Sequence, residues 1–185
     1  VIVSTDSNKI KSIAKKFSAN VPFIRPSELS SDSSSSIDVA IHALKSMENI
    51  NSCKYDAIML LQPTSPFRTS DDINACIELL IKKDDADSVI SVVNVGSNHP
   101  ARMKYIFDGI LVDPPFCEKK ENQNRQELEP MYIRNGVIYL TRSKTINERS
   151  FKGKKCLAYE MPTSRSLNID TQFDFELCEW LIDKK

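Results

Sequence analysis

The sequence predicts an α/β fold built on a mostly parallel sheet. Three observations carry this. Short apolar runs, too short for helices, recur at Val1-Ile2-Val3, Ala57-Ile58-Met59-Leu60-Leu61, Ser88–Val93 and Val137–Leu140. Stretches with apolar residues at one-face helical spacing separate them, and several of those stretches open on Ser, Thr or Asp. Runs buried on both faces, alternating with amphipathic helices, are the pattern of a sheet covered by helices on both sides.

Composition narrows the function classes. The chain has 185 residues, with 25 Lys plus Arg against 25 Asp plus Glu. No net field favours a nucleic acid or an acidic membrane surface, so neither is expected as a partner. No apolar run approaches the ~20 residues that cross a bilayer, and no signal peptide opens the sequence, so a cytoplasmic location is expected. The five cysteines form no Cys-x-x-Cys pair and are read as buried, reduced thiols; the two histidines are too few for a histidine-rich metal site. The four glycines, Gly96, Gly109, Gly136 and Gly153, are scattered. No glycine-rich phosphate loop can be written anywhere in this chain. A single domain over residues 1–185 is expected.

In order, Val1–Asp6 reads as a β-branched strand that starts at once, as an internal strand would. Asp6 or Ser7 then caps a helix carrying Ile10, Ile13 and Phe17. Val21-Pro22-Phe23-Ile24 reads as a short edge strand, where a proline is tolerated. The serine-rich stretch Arg25–Ser36 reads as an ordered loop feeding a helix with Ile37, Ala40, Ile41, Leu44 and Met47 on one face. Next comes Asp56–Leu61, the expected central strand, stopped by Pro63 and Pro66. Gln62, Thr64, Ser65 and Arg68 then lie at its carboxyl end, where open α/β sheets bind ligands. Ser70-Asp71-Asp72 opens a helix reaching about Lys83, and Ser88–Val93 is another buried strand.

From about 96 to 130 the periodicity loosens, the mark of a functional excursion or a subunit interface. Asn135-Gly136 is read as the tight entry to a strand through Leu140. A short helix over Ser143–Glu148, a strand over Leu157–Tyr159 and a helix capped by Thr171 close the chain. Asp170 is open to two readings, a plain helix cap or a carboxylate holding Mg²⁺ for phosphoryl chemistry. Arg102, Arg125 and Arg134 lie in or beside the loosened stretch. A guanidinium grips a carboxylate with two parallel bonds, so together these arginines suit a carboxylate clamp.

Six blocks then carry a family resemblance. They are Ile2-Val3-Ser4-Thr5-Asp6, Arg25-Pro26-Ser27-Glu28-Leu29, Leu60-Leu61-Gln62-Pro63-Thr64-Ser65-Pro66 with Arg68, Arg125-Gln126, Asn135–Tyr139 and Ile169-Asp170-Thr171. In order and spacing the chain resembles the acylneuraminate (CMP-sialic acid type) cytidylyltransferases. The resemblance implies a Rossmann-like, three-layer nucleotide-sugar-transferase fold and a homodimer joined through the 96–130 excursion. It also implies Mg²⁺-dependent transfer of CMP from CTP to a nonulosonic acid. Arg25 and Ser36 would then meet the cytidine, and Gln62 the reacting sugar. Arg102 and Arg125 would bind the sugar carboxylate, Asn135 and Tyr139 would line the pocket, and Asp170 would hold the metal.

Two departures follow from the same resemblance. Asn168 stands where the family commonly has a second metal-binding Asp, which makes it a weak ligand. The family's first strand and its phosphate loop have no counterpart in the chain and are expected upstream of Val1, so this chain alone is expected to be inactive. A catalytically dead sugar-nucleotide-binding or dimerisation module is the alternative from another class. A cytidylyltransferase for the eight-carbon sugar KDO is a third reading. Against that one stands Pro63 after Leu61-Gln62, where a metal-binding acid is expected.

Overall fold

Helices form where the apolar spacing and the caps place them, in a computed structural model that describes residues 1–31 and 33–184. Asp32, part of the serine-rich stretch, lies outside the described residues. Helix α1 (Asn8–Lys16) is capped by Ser7, whose Oγ accepts from the Ile10 N–H. Helix α2 (Ser36–Asn51) is capped by Ser35 and buries Ala40, Ala43 and Leu44. Helix α3 (Ser70–Lys82) starts one residue after its cap, Thr69, which exchanges hydrogen bonds with Asp72. A short α4 (Ser143–Asn147) and α5 (Gln172–Asp183) complete the set.

Four strands form one sheet in the order β1-β5-β2-β6: β1 (Ala57–Leu60), β2 (Ser88–Asn94), β5 (Tyr132–Arg142) and β6 (Cys156–Glu160). A separate hairpin joins β3 (Tyr105–Phe107) to β4 (Ile110–Val112). The sheet corrects the expectation of a mostly parallel one. β1 and β5 are antiparallel, with Ala57 opposite Arg142 and Leu60 opposite Tyr139. β5 is antiparallel to β2 as well, since Arg142 N bonds Asp87 O and Val95 N bonds Met131 O. β2 and β6 run parallel, with Asp87 N to Lys155 O and Met161 N to Val92 O. One reversed strand therefore sits among three that share a direction, and the sheet is mixed. A long connection such as 95–131 can return the chain from either end, so nothing local to β5 dictates its direction.

Three further expectations change. β1 is not central: it lies at one end of this sheet and is half-buried along its length, whereas β2 and β5 are interior. An apolar run reports burial, not sheet order. Val1–Asp6 and Val21–Ile24 do not form strands. The first meets Asn20, the residue before the second, at one parallel bridge with Ile2 and by Val3 N to Asn20 O at 2.8 Å. The next ladder donor would be Pro22, which has no N–H. Of the cysteines, only Cys76 and Cys178 are buried; Cys53 is exposed, and none of the five forms a disulfide.

The chain separates into two compact units. The first comprises residues 1–61, 73–90 and 138–157 and has an apolar interior around Leu44, Cys76, Val89, Ile138 and Ile146. Arg142 there donates to the Ala86 and Leu80 carbonyls. The second comprises residues 62–72, 91–137 and 158–185. Its interior is more polar, with Ser65, Asp72, Ser91, His99 and Asn135 buried beside Phe67, Val137 and Met161. No helix of the described residues is long and apolar enough to cross a membrane.

Candidate active site

In the second unit, the segment after β1 is laced to the segment before α5. Pro63 and Pro66 end the strand, and Ser65 N closes a turn on Gln62 O at 3.3 Å. Arg68 reaches back across that turn, donating to Gln62 O at 2.8 Å and to Val137 O at 2.9 Å. Burial lowers the pKa of this guanidinium, as desolvation disfavours a charged group.

Asn135 and Gly136 do not open a strand; they lie inside the 11-residue β5. Gly136 has φ +75°, and a Cβ there would lie 2.7 Å from Gln62 Oε1. Glycine is thus favoured by the left-handed backbone, and a methyl there would make the end of the Gln62 side chain shift. Asn135 is buried and fully engaged. Its Oδ1 accepts from Ser91 Oγ (2.6 Å) and Val137 N (3.2 Å), and its Nδ2 donates to Ser166 Oγ (2.9 Å).

Asp72 anchors the other end of the lacing. It is fully buried, and one carboxylate oxygen takes Arg165 Nη2 (2.8 Å) and Tyr159 Oη (2.9 Å). The other takes Arg165 Nε (3.1 Å) and the Thr69 N–H and hydroxyl (2.9 Å each). Burial pushes its pKa up, but the Arg165, Thr69 and Tyr159 hydrogen bonds outweigh it and bring the value down to about 2. In the sequence, Asp72 stands out only as a helix-start residue. Thr69-x-x-Asp72 is legible as a capping pattern, whereas Tyr159 and Arg165 carry no local signal of their shared partner.

Between these anchors the chain 161–170 is held at Ile169, whose N–H bonds Thr64 O at 2.8 Å. Asp170 ends this segment, exposed at the surface. It is not the cap of α5. Thr171 is, in a capping box with Asp174, and Asp174 Oδ2 also accepts the Asp170 N–H. The Asp170 carboxylate takes no part in the cap and accepts only from Asn168 Nδ2 among the hydrogen bonds described. Mg²⁺ is commonly held by one or two carboxylates together with substrate phosphates, so a single exposed carboxylate suits it. Asn168 turns Nδ2, not its coordinating oxygen, toward Asp170, and an amide nitrogen does not coordinate a hard cation. No cluster of three His, Cys, Asp or Glu side chains able to hold a metal occurs among the described residues.

The two arginines of the excursion are placed differently. Arg125 lines a cavity of about 210 Å³ with Asn94, Gly96, His99, Glu129 and Met131. His99 shapes its wall, accepting the Ala101 N–H on Nδ1 and donating from Nε2 to Glu129 O at 2.9 Å. Arg102 does not line that cavity; its Nη2 donates to Gln123 O at 2.9 Å. The exposed Arg134 lies on β5.

The remaining expected residues belong to the first unit. Arg25 donates from Nε to Ser30 Oγ (3.0 Å), pairs with Asp6 (3.6 Å), and sends its N–H to Thr5 O (2.9 Å). Ser36 is the exposed first residue of α2. Tyr139 packs on Phe151 with ring centroids 5.9 Å apart.

Comparison with known proteins agrees with this architecture. A structure of CMP:2-keto-3-deoxy-manno-octonic acid synthetase complexed with CTP superposes with a TM-score of 0.68, covering 100% of this chain and 80% of that one. At 11% identity that likeness concerns the fold alone. The CMP-N,N'-diacetyllegionaminic acid synthase of Legionella pneumophila is 35% identical over 99% of this chain and 78% of its own length. The N-acylneuraminate cytidylyltransferase of Escherichia coli is 33% identical over the whole of this chain, which spans 42% of that relative. The sequence profile of the cytidylyltransferases matches residues 1–109, more than half of the chain, and with these relatives it places the chain in the cytidylyltransferase family.

Proposed function

We propose that this protein transfers CMP from CTP to the anomeric hydroxyl of a nonulosonic acid of the sialic or legionaminic acid type, releasing pyrophosphate. The single observation that carries this reading is the identity, above 30% over essentially the whole chain, to relatives named for that chemistry. The geometry supports it by presenting Gln62 and an exposed Asp170 from two laced segments of one unit.

In this reading the sugar's anomeric oxygen attacks the α-phosphorus of CTP, a new P–O bond forms, and the bond to pyrophosphate breaks. Asp170 would hold a Mg²⁺ ion, which neutralises charge on the phosphates when bound. Gln62, whose side chain lies beside Gly136, would hydrogen-bond the sugar. Arg125 supplies a cation to the sugar carboxylate from its cavity, with Arg102 as the second arginine of the excursion. Asn135 contributes by holding the backbone beside Gln62, and the pocket-lining role of Tyr139 rests on the family resemblance. The cytidine roles of Arg25 and Ser36 rest on the family resemblance alone.

A second copy of the chain is the proposed partner of the 96–130 excursion. The β3–β4 hairpin exposes Tyr105, Ile106, Phe107, Ile110 and Leu111, with Ile106 71% and Leu111 68% exposed. A contiguous apolar surface of this kind marks an interaction site.

The test is to incubate the protein in the full length its gene encodes, rather than residues 1–185 alone, with CTP and Mg²⁺ and, separately, N-acetylneuraminic acid, a legionaminic acid or KDO. Pyrophosphate release and CMP-sugar mass are followed together. Product with a nine-carbon sugar and none with KDO is expected. Product with KDO alone would move the assignment to the eight-carbon sugar.

A further inference from the structure

Asn168 is tied on both sides. Its Nδ2 donates to both Asp170 oxygens, at 2.8 and 2.9 Å, and its Oδ1 accepts from Ser65 Oγ at 3.2 Å. Ser65 is fully buried, and the turn that carries it is closed by Ser65 N to Gln62 O. The chemistry fixes the orientation of the amide. Reversed, it would set its oxygen against two carboxylate oxygens. Its nitrogen toward Asp170 and its oxygen toward the Ser65 hydroxyl satisfy all three groups.

The surroundings leave this relay little freedom. Ile169, between Asn168 and Asp170, is bonded to Thr64, the neighbour of Ser65. Upstream, Ser166 takes the Asn135 amide and Arg165 grips Asp72. Downstream, the Asp170 N–H is held by Asp174. The backbone on either side of Asp170 is thus fixed, and the direction of its carboxylate is set by the Asn168 amide.

We infer that Ser65 and Asn168 are positioning residues for Asp170, a relay in which the buried hydroxyl orients the amide and the amide orients the carboxylate toward its metal. This rests on the reading of Asp170 as the Mg²⁺ ligand. Asn168 thereby acts on the metal site without touching the ion. Outer partners of this kind govern metal affinity because they hold a ligand's rotamer and its lone pairs in one direction.

The experiment measures Mn²⁺ binding, with CTP present, by electron paramagnetic resonance of the free ion. Wild type, Asp170→Asn, Asn168→Leu, Ser65→Ala and the Ser65→Ala/Asn168→Leu double variant are compared. Near-ultraviolet circular dichroism reports folding. Asn168→Leu keeps volume at a half-exposed position, so it carries the test if the buried Ser65 change perturbs the fold. Asn168→Leu is expected to weaken Mn²⁺ binding about tenfold or more. Ser65→Ala should weaken it less, and should add nothing in the Asn168→Leu background. Full additivity would overturn the relay. So would Mn²⁺ affinity unchanged in Asn168→Leu but lost in Asp170→Asn, which leaves the metal role of Asp170 standing. Affinity unchanged in Asp170→Asn would overturn that metal role and the relay with it.

Discussion

Replacing Asp72 by Asn removes one negative charge from a fully buried position while nearly preserving its shape. The folded-state pKa is about 2 against an ordinary 3.8. That depression corresponds to roughly 2–3 kcal/mol of stability from the ionised carboxylate near neutral pH. Arg165 is about a third exposed and recovers some hydration when its partner is lost. The cost therefore falls below the 3–5 kcal/mol typical of breaking a wholly buried pair. For a chain of this size each kcal/mol moves Tm by about 2–4 °C, so Asp72→Asn should melt roughly 5–10 °C lower at pH 7. Because the folded pKa is depressed, the contribution is complete above the ordinary carboxylate range and is lost as pH falls through about 2. The gap between wild type and variant should shrink to about half by pH 3. Urea unfolding at pH 7, 5 and 3, followed by circular dichroism, measures that gap and cancels the carboxylates common to both proteins. A gap that stays constant from pH 7 to pH 3 would refute the argument that the ionised Asp72 holds Arg165, Tyr159 and Thr69.

Three other outcomes follow from the site. Gly136→Ala puts an L side chain on a backbone with φ +75° and displaces Gln62, whose Oε1 lies 2.7 Å from the new methyl's place, so it should cost about 1–3 kcal/mol in urea unfolding and raise the KM for the sugar; wild-type values of both would show that neither the backbone nor Gln62 is constrained there. Arg125→Ala should weaken sugar binding about thirtyfold or more in calorimetry, with CTP affinity unchanged, because it removes a charged partner from the cavity. Equal losses for both ligands would assign Arg125 to structure instead. Ile106→Lys together with Leu111→Lys should turn a dimer into a monomer in sedimentation velocity, since both side chains are exposed on the β3–β4 hairpin; an unaltered sedimentation coefficient would remove the hairpin from the interface.

The helices were legible in the chain because helix formation is local. Ser7, Ser35 and Thr171 cap where their hydroxyls precede an apolar stripe, and Thr69-x-x-Asp72 writes its own capping pattern. The α/β class and the family were legible too, since the apolar runs and the Leu60–Pro66 string depend only on residue order. Gln62 and Asp170 could be picked out as candidates for the same reason. The direction of β5, the place of β1 at the end of the sheet and the failure of Val1–Asp6 to form a ladder were not legible. Each depends on which distant backbone supplies the hydrogen bonds, and Pro22 withholds one of them. The roles of Asn168 and Arg165 were hidden likewise. Asn168 meets Ser65 across 103 positions and Arg165 meets Asp72 across 93. A side chain's partner across such a distance is chosen by folding, and only the folded chain shows whether an amide faces a metal or holds the carboxylate beside it.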